Sequence, residues 1–349
     1  MIIVRLQGGL GNQIAQYAFF LKLRSVHNDV KIDKTSYYAA FKSHNGYELN
    51  KVFPVKKENF ASIKEIEKLS IYSKIRLAYC VSRFARALFV YGFIKKYALS
   101  SNITSSEEIA SAVVETSENN RSLRKKIVYF GKRSLRNILF MDSKSGFISE
   151  THFREPDTFY EEYLQHTSVY YEGVWQHIDY YSDIIDVLSS HFTFKKKLRG
   201  KNKALLKLIT APEICSVSIH VRRGDYVNSP EFNNVSTGYY ERAAHLIEDK
   251  LQTELAFVVF SDDIKWVKGN FGFLKGRKCH WVDWNKGKKS YIDMLLMSNC
   301  KHNIIANSTF SWWASLMNTN AEKIITVPKR WADYPPKYPK GMRHFKVDN

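Results

Sequence analysis

Residues 255–260 read Leu-Ala-Phe-Val-Val-Phe, six apolar residues with no polar alternation and with β-branched and aromatic side chains among them. A strand of that kind has no face to show to water, so it belongs inside a parallel sheet covered by helices on both sides. Its neighbours repeat the signal. An apolar-rich strand over 213–222 and a helix over 239–251 precede it. Strands over 279–282, 303–306 and 323–327 follow, with a helix over 290–298 and another beginning near Phe310 between them. Repeated strand and helix units build a doubly wound α/β sheet, and such sheets bind ligands beyond the carboxyl ends of their strands.

The first half opens in the same manner. Residues 2–6 are an apolar strand, Gly8-Gly9-Leu10-Gly11 a tight turn, and the segment from Asn12 a helix that Asn12 is placed to cap. The opening is Rossmann-like, but the glycine spacing is not GxGxxG and no acidic residue closes a second strand at the usual distance, which argues against a dinucleotide site. A strand over 167–173, a helix over 179–192 and a basic stretch from Lys195 to Lys203, read as a linker, lead into the second half. With 349 residues the chain suits two lobes facing across a cleft.

Charge narrows the partners. Lys and Arg number 53 against 34 Asp and Glu, a net +19, which points to nucleic acid, anionic lipid or phosphorylated ligands. Residues 56–136 hold 17 of the cations and 7 of the acids, so the excess is concentrated in a basic helical insertion over about 56–140. Within it, residues 75–98 are nearly apolar enough to enter a bilayer, but Arg83 and Arg86 interrupt them, so the segment lies on a surface, either a membrane or its own domain. Cys80, Cys215, Cys279 and Cys300 are scattered without metal-ligand spacing, and the N-terminus has no leader-like pattern, so a reduced, cytoplasmic setting is expected.

The chemistry-bearing residues fall at strand ends. His220-Val221-Arg222-Arg223-Gly224-Asp225 follows the strand over 215–219; paired guanidiniums suit a diphosphate, and Asp225 can orient one of them. A bland surface ion-pair cluster is the competing reading. Asn307-Ser308-Thr309-Phe310-Ser311 follows another strand and opens a helix, where hydroxyls and orphan N–H groups bind anions or simply cap; Trp312 and Trp313 suit the core. Asp262 and Asp263 end a third strand and could accept from the edge of guanine or chelate Mg²⁺. Arg222 and Arg223 already supply the positive charge a metal would bring, so base recognition is preferred.

Taken together, VRLQGGLGNQ at 4–13, GVWQHIDYYS at 173–182, HVRRGDY at 220–226, FSDD at 260–263 and NSTFSWWASLMN at 307–318 resemble the bacterial α-1,2-fucosyltransferases of glycosyltransferase family 11. HxRRxD is shared with other fucosyltransferases; the glycine-rich start and NSTFSWW narrow the resemblance. It implies a GT-B fold, with an N-terminal acceptor-side domain over 1–195, a donor-binding domain over 196–330 and a segment over 331–349 packing back on the first domain. It also implies metal-independent, inverting transfer of L-fucose from GDP-fucose, without a cofactor, to the 2-hydroxyl of a β-galactoside. That acceptor is expected to be lipid-linked, as in O-antigen, with the enzyme peripheral on an anionic membrane.

Carried over by residue, the catalytic set is Arg222, which takes the β-phosphate, with Arg223 and Asp225 as support or a second phosphate contact. His220 and one of Asp262 or Asp263 meet guanine, and Asn307, Ser308, Thr309 and Ser311 lie at the phosphates. Gly8, Gly9, Gly11, Asn12, Gln13, Trp175 and Gln176 line the acceptor side. Asp33, His44 and Glu48 are weak candidates for a base, which stays unassigned. A transferase of another linkage, or a basic nucleic-acid-binding protein, are the alternatives.

Overall fold

The computed structural model describes residues 1–37, 44–69, 147–149, 165–193, 197–229, 232, 235–331, 338–339 and 342–349. The first sheet has the order β2-β1-β4-β3, from β1 (Ile2–Arg5), β2 (Val30–Asp33), β3 (Phe147–Ser149) and β4 (Val169–Glu172), all parallel. Helix α1 (Leu10–Val26) joins β1 to β2, and α2 (Ile63–Leu69) places Ile66 against Ile3 and Tyr170 on the other face. Then come α3 (Ile185–His191) and α4 (Gly200–Ile209).

The second sheet has the order β10-β9-β8-β5-β6-β7, again parallel throughout. Its strands are β5 (Cys215–Val221), β6 (Leu255–Ser261), β7 (Lys278–Val282), β8 (His302–Ile304), β9 (Ile325–Pro328) and β10 (His344–Val347). Helices α5 (Thr237–Leu251), α6 (Ile264–Asn270), α7 (Tyr291–Ser298) and α8 (Thr309–Leu316) connect them. Two parallel sheets flanked by helices make the expected α/β, GT-B class of fold.

The apolar strand behaves as its composition requires. Phe257 and Val259 join one buried cluster with Tyr239 and Ile247 of α5, whereas Val258 and Phe260 join another with Leu296 and Trp313. Each such side chain, fully covered, contributes roughly 1.5–3 kcal/mol of burial. The second cluster does not stop at this sheet: it continues into Val4, Phe19, Phe20 and Tyr171 of the first. The two lobes therefore share a core behind the cleft.

Chain order fixes where a crevice opens. The strands run outward from β5 through β6 to β7, and β8 then returns to the other side of β5. The connections leaving β5 and β8 thus diverge to opposite sides, which opens a gap at their carboxyl ends. In the first sheet β2 and β4 flank β1.

Several expectations need correction. Helix α1 begins at Leu10 with Gly9 as its cap residue, so Asn12 lies inside the first turn and is not the cap. The helix expected over 179–192 is two 3₁₀ turns, Ile178–Tyr180 and Ser182–Ile184, followed by α3, with Tyr181 between the turns at φ −154° and ψ 22°, outside helical geometry. Part of the supposed linker is the start of α4, which Leu205 and Ile209 anchor to the core. Residues 344–347 do not pack back on the first lobe; β10 pairs with β9 at the edge of the second sheet. Of the basic insertion, a 3₁₀ turn at Lys57–Asn59 and α2 are described, while residues 75–98 and Cys80 lie outside the described residues.

Candidate functional site

At the end of β5, Arg222 emerges with its guanidinium between two carboxylates. Nη2 lies 2.5 Å from Asp225 Oδ1 and Nη1 2.8 Å from Asp262 Oδ2. The second oxygen of Asp262 accepts the Arg223 backbone N–H at 2.9 Å, so one carboxylate from the end of β6 holds both the turn and the guanidinium. Gly224 makes that approach possible, since a Cβ there would stand 2.7 Å from Asp262 Oδ2. Two acidic partners fix a guanidinium's plane while leaving other donors for an incoming anion, and Arg222 remains 28% exposed.

Its neighbour turns elsewhere. The Arg223 guanidinium sits 3.5 Å from the ring centre of Trp266 and its Nε is 3.5 Å from Asp263, which caps α6 by accepting the Trp266 N–H at 3.1 Å. Arg223 is thus braced on α6, so the two adjacent guanidiniums do not act as one receptor. Asp262 and Asp263, one of which was expected at guanine, are both engaged with arginines.

His220, within β5, faces the ring of Phe310 at 5.6 Å. Burial, helped by the positive charge of Arg222, pushes its imidazole down to about 3, so it is neutral at working pH. Its Nδ1 is buried without a hydrogen-bond partner, a polar atom still available to a ligand.

Beyond β8, Ser308 caps α8 and lies within hydrogen-bond reach of Tyr226. Asn307 donates to the Phe232 carbonyl at 2.8 Å. Ser311 is fully buried and donates to Ser308 O at 3.2 Å, so of the three hydroxyls considered for the phosphates its own is turned into the helix. Trp312 and Trp313 are core, as their size suggests.

The opposite wall is the start of α1. Gly8 has φ +77°, a left-handed turn that a side chain would strain. A Cβ on Gly11 would lie 2.5 Å from Thr309 Oγ1 and 2.9 Å from Phe310 N, so the first turns of α1 and α8 are in contact across the cleft. Asn12 Oδ1 accepts from Thr309 Oγ1 at 3.2 Å and from Gln176 Nε2 at 3.0 Å, joining the gaps of both sheets through one amide.

Gln13 is buried and organises the wall from within. It donates to Gly8 O and Gly46 O and accepts the backbone N–H groups of Glu48 and Leu49. Trp175 is wholly buried, stacked on Phe19 at 4.1 Å, so it is core and not acceptor surface. Gly9 borders His44, which is exposed. Asp33 accepts from Tyr170 and Thr35, and buried Glu48 pairs with Lys51 at 2.7 Å, so both carboxylates have structural work.

Sequence reasoning missed Trp266 beneath Arg223, Tyr226 beside Ser308, and Gln16. Gln16 accepts from Gln7 N and donates to Gly173 O, tying β1's exit to β4's. A glutamine three residues after Gln13 in an otherwise apolar helix was the available signal.

The fold and this arrangement define a class: a two-lobed α/β protein whose candidate site lies at the switch point of the second sheet. The family model of glycosyl transferase family 11 matches residues 119–343, more than half of the chain, and the chain belongs to that family. Over 189 residues it is 36% identical to the O-antigen biosynthesis glycosyltransferase WbnK of Escherichia coli, and over 168 residues 34% identical to an alpha-1,2-colitosyltransferase of the same organism. These matches span 50% and 47% of this chain but only 61% and 56% of those proteins. Among solved structures, fucosyltransferase NodZ from Bradyrhizobium aligns over 90% of this chain and 91% of its own, at 12% identity and a TM-score of 0.42.

Proposed function

We propose that this glycosyltransferase moves L-fucose from GDP-fucose to the 2-hydroxyl of a terminal β-galactose in a surface oligosaccharide of the O-antigen kind, with inversion and without a metal. The observation that carries the reading is Arg222, preset between Asp225 and Asp262 at the gap where β5 and β8 part.

As the fucose C1–O bond breaks, the sugar gains oxocarbenium character and the departing GDP gains negative charge. Donors that hold the leaving phosphate more tightly than the bound one lower that barrier. In this reading Arg222 and the N–H groups at the start of α8 do so, and His220 and Phe310 adjoin the base. The acceptor oxygen forms the new bond to C1 and loses its proton to a group not yet assigned. In this reading the nearby carboxylates are committed to arginine and not to a metal.

A second donor has specific support, because one of the more similar relatives is named a colitosyltransferase, and colitose is the 3-deoxy counterpart of L-fucose. Radiolabelled GDP-fucose and GDP-colitose, each offered with β-galactoside acceptors with and without EDTA, separate the readings. NMR of the product reports linkage and anomeric configuration. Transfer of colitose alone overturns fucose, EDTA inhibition reversed by Mg²⁺ overturns metal independence, and a linkage other than α-1,2 overturns the acceptor position. In the same reading the acceptor is lipid-linked and the enzyme works at an anionic membrane surface.

A further inference from the structure

The stretch 195–207 carries seven Lys or Arg and no acid, and 284–292 carries three more and again no acid. The fold brings the two together. Asn202, in the first turn of α4, exchanges reciprocal amide hydrogen bonds of 2.8 Å with Asn285 and accepts Trp284 Nε1 at 2.7 Å. Asn285 is anchored in turn to Asp293 of α7 at 2.7 Å. Around this buried clamp Lys197, Arg199, Lys201, Lys286, Lys288 and Lys289 are all exposed, and among the described residues none of them forms an ion pair.

Cations gathered without counterions repel one another, and those at the start of α4 also oppose the helix dipole. Apart from Lys201, which lies over the Trp284 ring, the local fold gains little from them. They do occupy a definite place, because the same loop reaches the first lobe: Lys51 Nζ donates to Lys288 O at 2.8 Å and Asn45 donates to Ser290 at 3.0 Å. The basic face therefore borders the junction of the two lobes.

We propose that this face docks the enzyme on an anionic bilayer, orienting the junction of the lobes toward the membrane. The choice of a bilayer rests on the proposed delivery of a lipid-linked acceptor to the cleft. It is also favoured over single-stranded nucleic acid because the patch offers no free stacking ring. Trp284 is hydrogen-bonded and covered by Lys201 at 5.2 Å, and Tyr291 is covered by Lys51 at 5.0 Å. Headgroup attraction needs only closely spaced cations.

The test uses the full chain with vesicles of phosphatidylcholine alone or mixed with phosphatidylglycerol, followed by sedimentation. The protein is expected to bind the acidic vesicles and be released by salt. The triple change Lys286→Glu, Lys288→Glu and Lys289→Glu is expected to weaken binding on the order of tenfold or more. The same lysines changed to Gln give an intermediate loss, and a control with Lys64, Lys275 and Lys346 changed to Glu gives much less. GDP binding by calorimetry, unchanged in all variants, separates this result from failure of the donor reading. Equal binding to neutral and acidic vesicles, equal loss in the control, or displacement from vesicles by RNA at low concentration would overturn the proposal.

Discussion

Arg222 and its two carboxylates can be tested separately because they are unequal. Asp262 makes two charge-assisted contacts, to the guanidinium and to the Arg223 N–H, whereas Asp225 makes one and is 54% exposed. Hydrogen bonds of this kind are worth roughly 1.5–3 kcal/mol when sheltered and less in water. Arg222→Ala is expected to cost on the order of 100-fold or more in turnover, and Arg222→Lys to recover little, since an ammonium cannot present the fork. Asp262→Ala should cost on the order of tenfold or more, and Asp225→Ala distinctly less; steady-state kcat and GDP affinity report both. The histidines give a second test. His302 accepts the Ile324 N–H on Nδ1 at 3.0 Å, and burial brings it down to about 4 from the ordinary 6.5. Between those values the unfolded chain binds the extra proton, so stability falls as pH drops, by about 1.4 kcal/mol per unit for one such group. His302→Asn keeps an acceptor near Nδ1 and removes the titration, so its unfolding midpoint should fall less than wild type between pH 6.5 and 4. The paired arginines were visible in sequence as a charged cluster at a strand end. That Arg223 turns onto Trp266 was not, because cation–π packing leaves no spacing signature.

Among elements, the apolar strands were legible because full burial leaves a continuous run, and the start of α8 because Ser308 and Thr309 stand where a helix must begin. The start of α1 was misread for a physical reason. Asn12 has the chemistry of a cap, but the glycines let the chain enter the helix two residues earlier, and the freed amide reaches across to Thr309 instead. Strand β10 escaped notice because Lys346 and half-exposed residues interrupt it, and its ladder depends on β9. The meeting of α1 and α8 makes a sharp prediction. A methyl group on Gly11 would press on the Thr309 backbone carbon at 2.8 Å and Phe310 N at 2.9 Å, main-chain atoms that cannot swing away. Gly11→Ala should therefore force the two helix starts apart, at a stability cost of about 1–3 kcal/mol. Its turnover should fall far more than its melting temperature suggests. Gly9→Ala meets only the His44 side chain at 3.4 Å and should keep most activity. Parallel assays of kcat and thermal unfolding for the two variants decide the matter; equal behaviour would mean that the contact does not set the cleft.

At the scale of the molecule, length and the repeated strand and helix pattern pointed to two lobes, and the described residues form two sheets. The sequence could not reveal how far the lobes are fused, because that depends on side chains meeting from residues more than a hundred positions apart. Tyr181, from the first half, stacks on Trp313 of α8 at 5.6 Å and 28°. Phe19 and Phe20 of α1 belong to the same buried cluster as Met294, Leu296 and Met297 of α7. Independent lobes would each close their own core and melt separately, whereas a shared core makes exposure of one lobe costly for the other. Calorimetry is therefore expected to show one cooperative transition involving both sheets. Trp313→Ala, which empties a site between them, should destabilise the whole by about 3–5 kcal/mol and move that single transition without splitting it. Fragments 1–195 and 196–349, each left with half of the cluster exposed, should lack a cooperative transition alone. Two well-separated transitions in the intact chain, only one of them displaced by Trp313→Ala, would instead place the stability of each lobe within its own sheet and make the contact between α1 and α8 a surface meeting.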